Sequence, residues 1–129
     1  MMNRRPDPVV RRRLHAAAAE EVARVLNALP APLRRRAREI PVVIEDRPSI
    51  ELVREGYDPD LLGLFVGGDH AADASDPLPP EILLFVENLW EEAAGDAAVF
   101  REEVRRTLLH ELGHYLGLDE DDLAERGLD

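Results

Sequence analysis

"LLHELGHYLGLDEDDL", residues 108–123, closes a segment in which apolar side chains recur at helical spacing. At about 100° per residue, Phe100, Val104, Leu108, Leu112, Tyr115 and Leu116 share one broad arc of a helix predicted over 97–116. Glu102, Arg106 and Gly113 fall opposite. His110 and His114 sit together at one border of the arc, a turn apart, and Glu111 points toward its apolar side. A carboxylate placed there without a partner is costly, so its position needs a chemical reason.

A metal ion supplies one. In H-E-x-x-H the two imidazoles project from one helix face onto a single Zn²⁺, and the glutamate after the first histidine reaches the attacking water as general base. Zinc brings the pKa of bound water toward about 7, which makes attack on a peptide carbonyl feasible at neutral pH. The competing reading is two surface histidines at helical spacing beside an ordinary glutamate. The residues that follow favour the metal. Gly113 inside a helix costs about 1 kcal/mol relative to Ala, which implies close approach of another element. Gly117 is placed to end the helix in a left-handed conformation and turn the chain back.

An open zinc site needs three protein ligands, and the chain offers Asp119, Glu120, Asp121 and Asp122 beyond the turn. Asp119 and Asp122 have the spacing of a capping box, with Leu118 and Leu123 at the positions of a hydrophobic staple. That assigns Asp119 to capping. Glu120 is then the better third ligand and Asp119 the second choice. Acidic residues also collect at helix N-termini without any metal.

Composition narrows the alternatives. At 129 residues the chain is long enough for one core, hence one site in a single domain over 1–129, with 1–7 flexible. The absence of cysteine excludes disulfides, thiolate ligands and a cysteine nucleophile, so any metal is held by nitrogen and oxygen. No apolar run is long enough to span a bilayer or to form a secretion signal, which predicts a cytoplasmic protein without a membrane partner. Residues 1–40 carry ten arginines against four carboxylates, and 41–129 carry six against twenty-three. The basic end reads as a solvated helix face against the acidic remainder. Nucleic acid is not expected, because a chain of net charge -11 repels phosphate.

Along the chain, 8–29 reads as an amphipathic helix stopped by Pro30, followed by a short helix at 32–38 and a strand at 41–46. A helical turn at 48–55, a strand in 61–66, a Gly/Asp/Pro-rich loop at 67–80, and a strand running into a turn or helix at 81–90 follow. A terminal helix is expected at 120–126. His70, in the loop, reads as an exposed histidine sooner than a ligand. His15 has no acidic neighbour in sequence and reads as structural, while Phe65, Phe85, Trp90 and Tyr115 read as core or pocket wall.

With these residues in view, the sequence resembles the small bacterial zincin-like metallopeptidase family, a minimal, metzincin-related form of the zincin fold. The likeness runs through "VVIED", "LLGLFVG", "LPPEILLFVENL" and "EVRRTLLHELGHYLGLDEDDLAERG". Its most specific part is the pattern H-E-x-x-H-x-x-G-x-x-D/E at His110, Glu111, His114, Gly117 and Glu120. The resemblance implies an α+β fold in which a small mixed sheet packs on an N-terminal helix and the active-site helix. It implies Zn²⁺ as cofactor, a peptide or protein as substrate, and an edge strand that pairs with extended peptide, for which "EILLFV" is the candidate. Glu120 stands where metzincins have a third histidine, and the only methionines are Met1 and Met2, so no Met-turn is present. Two other outcomes stay open: a zinc protein that hydrolyses something else or nothing, and an interaction module with a vestigial motif.

Overall fold

A computed structural model describes residues 5–67 and 79–128. It has six helices and a three-stranded mixed sheet among those residues. Helix α1 (Pro8–Ala28) starts where the Asp7 carboxylate accepts the Val10 N–H at 3.0 Å and Pro8 presets the first turn. It buries Leu14, Ala18 and Val25 in the core and stops before Pro30. Helix α2 (Ala31–Ala37) follows, then strand β1 (Val42–Glu45) and the short helix α3 (Ile50–Arg54). Strands β2 (Gly63–Val66) and β3 (Glu81–Phe85) come next, and α4 (Val86–Glu92) grows directly from the end of β3. Helices α5 (Ala97–Leu116) and α6 (Glu120–Glu125) complete the fold, which is the expected α+β arrangement.

The strand order is β1-β3-β2, with β1 parallel and β2 antiparallel to β3. The segment "EILLFV" is therefore not an edge. β3 is hydrogen-bonded on both sides, and Ile82, Leu83, Leu84 and Phe85 are all buried. An unbroken apolar run is the mark of a strand covered on both faces, whereas an edge strand tolerates alternation. The edges are β1 and β2, and β2 is the one that lies along α5. Gly63 makes that approach possible: a Cβ there would stand 2.6 Å from Thr107 Cγ2 of α5 and 3.1 Å from the Leu83 carbonyl.

A polar network ties the start of the chain to the sheet. The fully buried Glu87 carboxylate accepts from Arg5 Nε at 3.1 Å, Arg5 Nη2 at 2.8 Å and Arg47 Nε at 2.9 Å. Burial alone would push the Glu87 carboxyl up, but the hydrogen bonds from Arg5 and Arg47 outweigh it and hold it below the ordinary carboxylate range. His15, which has no acidic neighbour in sequence, gains one in space: its Nε2 lies 2.7 Å from Asp46 Oδ1. It remains a structural tie, now with a named partner. No helix among the described residues is long and apolar enough to cross a membrane. His70 and positions 68–78 of the expected loop lie outside the described residues.

Candidate metal centre

Helix α5 has the limits the sequence predicts. Asp96 accepts the Val99 N–H at 3.0 Å at its start, and Gly117 ends it with φ 72° and ψ 27°, a left-handed turn open to glycine. Phe100, Val104, Leu108, Leu112 and Leu116 are buried, as the apolar arc requires, and Leu109 and Gly113 join them. His110 and His114 are left on the solvent side. Glu111 is half-buried at the border of the arc.

The two imidazoles point at one place. His110 Nε2 and His114 Nε2 are 3.3 Å apart, with ring planes at 82°. Two histidine nitrogens each about 2.0–2.1 Å from a shared tetrahedral ion stand about 3.3–3.4 Å apart, so the pair fits one edge of a zinc coordination sphere. A Glu111 carboxylate oxygen belongs to the same group, in which all donor atoms lie within 4.8 Å of one another. Imidazole nitrogen with carboxylate oxygen is a donor set that suits zinc, in a chain without thiolates.

Neither Glu120, the expected third ligand, nor Asp119, the second choice, is part of that group. Asp119 Oδ1 accepts the Asp122 N–H at 2.8 Å and Asp122 Oδ2 accepts the Asp119 N–H at 3.0 Å, the reciprocal capping box expected for α6. Glu120, the first residue of α6, sets its Oε1 3.0 Å from Nδ1 of His110, the ring nitrogen away from His114. A carboxylate there accepts the Nδ1–H and leaves Nε2 with its lone pair free to bind a metal. The return of the chain is close: Leu118 N–H donates to the Gly113 carbonyl at 2.8 Å.

A cavity of about 660 Å³ opens beside these groups, with Leu61, Leu62, Thr107, His110, Glu111 and Glu120 among its walls. The approach of residues 61–63 to Glu111 is something the sequence did not disclose. Asn88, buried in α4, holds that segment by donating from Nδ2 to the carbonyls of Pro59 and Leu61, both at 2.8 Å, while its Oδ1 accepts from Arg47 at 2.9 Å. The available signal was an amide inside the apolar run "EILLFVENLW", where a polar group needs partners.

A search of curated proteins finds no match to this chain. The model of the family described as zincin-like metallopeptidase matches residues 37–128, which takes in the whole sheet, α5 and α6. With the paired Nε2 atoms of an H-E-x-x-H helix and a match over most of its length, the chain belongs to the zincin-like metallopeptidase family.

Proposed function

We propose that this chain is a zinc-dependent peptidase in which His110, His114 and Glu120 hold the ion and Glu111 is the general base. The observation that carries the reading is the 3.3 Å separation of the two Nε2 atoms with the Glu111 carboxylate in the same donor group. Zinc, when bound, acidifies a coordinated water and polarises the scissile carbonyl. Glu111 accepts the proton of the attacking water and delivers it to the departing amine nitrogen, a role that calls for a carboxylate at hydrogen-bond range of the reacting atoms. Leu61, Leu62, Leu109 and Leu123 supply apolar wall to the cavity beside Glu111.

Peptide as substrate is supported by β2. Among the described residues β2 pairs only with β3, and it runs beside the helix that carries the motif. An extended peptide adding to its other edge would meet Glu111 with its backbone held by main-chain hydrogen bonds. A second reading of Glu120 has its own observation, the 3.0 Å contact with His110 Nδ1, which makes it the residue that orients His110. Zinc titration of the purified chain tests the proposal: one ion per chain, lost in His114→Ala, is expected, and no uptake at micromolar zinc overturns it.

A further inference from the structure

The cavity beside Glu111 differs along its length. Its walls are leucines from three parts of the chain, Leu61 and Leu62 before β2, Leu109 on α5, and Leu123 and Leu128 at the C-terminal end. His110, Glu111 and Glu120 line it together with Glu103 and Arg106, which precede His110 on α5 by about two turns and about one turn, so that Glu103 lies about 10 Å back along the helix from His110. The Glu103 side chain is only 12% exposed, while its partner Arg106, at 2.8 Å, is 68% exposed. Arg106, mostly in solvent, can turn to water when another cation takes its place on Glu103, whereas Glu103 itself needs a cationic or hydrogen-bonding partner. Glu103 is thus a largely desolvated carboxylate in the wall of an apolar trough, held by a cation that is free to leave it.

From this we infer that the cavity receives a lysine or arginine side chain of the peptide, its methylene stem against the leucines and its charged head on Glu103. The stem of a basic residue covers apolar wall while its head stays polar, which matches the two zones of the trough. The wider charge agrees. Of the three carboxylates that line the cavity, Glu111 and Glu120 serve the base and the ion in the peptidase reading, and Glu103 is the one left over for a substrate cation; residues 41–129 hold twenty-three acids against six arginines. An acidic side chain would enter against that field, and a purely aliphatic one would leave Glu103 to Arg106.

The inference rests on the peptidase reading, and its test is a binding measurement that does not need turnover. The probe is a set of fluorescent Gly/Ser peptides with one variable residue, Lys, Arg, norleucine or Glu, titrated by anisotropy into zinc-loaded Glu111→Gln protein. Lys and Arg peptides are expected to bind at least about tenfold tighter than norleucine, the size of a charge-assisted hydrogen bond. Glu103→Gln should bring that ratio to about one, Arg106→Gln should raise it, and Glu102→Gln, exposed on the same helix, should leave it unchanged. Equal or tighter binding of norleucine or Glu, or a ratio that survives Glu103→Gln in a protein with unaltered thermal melting, overturns the inference. Lys preference in binding with no peptide cleaved by wild type would remove the peptidase reading and leave the basic-residue pocket standing. Peptide cleavage without that preference would do the reverse.

Discussion

The Cβ that Gly113 lacks would stand 2.7 Å from the carbonyl oxygen of Leu118. That gap lets the chain, once turned at Gly117, lie back against the helix it has just left, and it brings Glu120 to His110. Alanine is ordinarily the better helix former by about 1 kcal/mol, yet here the added methyl meets backbone that cannot rotate away. Gly113→Ala should therefore destabilise the fold by about 1–3 kcal/mol, as overpacking does, and weaken zinc binding at least tenfold (~1.4 kcal/mol). Thermal melting and zinc titration of the variant measure the two effects. An alanine variant that melts higher and binds zinc normally would show that the close return is not needed.

Glu120 can be assigned by replacing it with its own amide. Glutamine keeps an oxygen to accept the His110 Nδ1–H and loses the negative charge. If Glu120 is a ligand, Glu120→Gln should cost well over a hundredfold in zinc affinity; as a residue that orients His110, its loss should cost about 10–100-fold or less. Competition against a chelator of known affinity reads the difference, and Asp119→Asn, which keeps an oxygen to cap α6 and loses the charge, serves as the comparison for the second-choice ligand.

Asn88 should act at a distance. Asn88→Leu leaves the carbonyls of Pro59 and Leu61 without their donor, at a cost of about 1–3 kcal/mol for unmet buried polar groups. Because Leu61 lines the cavity, amide exchange should quicken across 60–63 before it quickens in α5. Uniform protection loss through the whole chain would instead mark Asn88 as a general stabiliser.

Acid should loosen the tie at Glu87. Its carboxyl is held below the ordinary range by Arg5 and Arg47, so the folded state binds its proton less readily than the unfolded chain. The stability it contributes is complete above the ordinary carboxylate range, near pH 4.5, and is lost as pH falls through the lowered value. Denaturant midpoints measured from pH 7 down to 3 should fall steeply at the acid end in wild type. Glu87→Gln should begin about 2 kcal/mol less stable, since a buried partner is removed from two partly exposed arginines, and should lose less over the same range.

These expectations divide by how local their causes are. The extent of α5 was legible because its apolar residues recur at helical spacing and Gly117 follows the last of them, while the cap at Asp96 was found only in the structure. The α6 cap was legible because a capping box is a pattern within four residues. Gly113 announced a close approach, though not that the neighbour would be the same chain five residues on. The place of β3 was not legible, since strand order is fixed by contacts far apart in sequence. His15 and Asp46 meet across 31 residues, and Asn88 reaches Pro59 and Leu61 across 29 and 27. The side of His110 on which Glu120 rests is a matter of one exposed side chain's rotation, which no spacing encodes.

The proposed role of Glu111 is open to one direct comparison. Wild type and Glu111→Gln are loaded with zinc, the metal content of each is measured, and both are run against one peptide library. One zinc in each, with hydrolysis by wild type and a loss of at least about a hundredfold in the variant, is the expected result for a general base. A variant that holds zinc and cleaves as fast as wild type would contradict it.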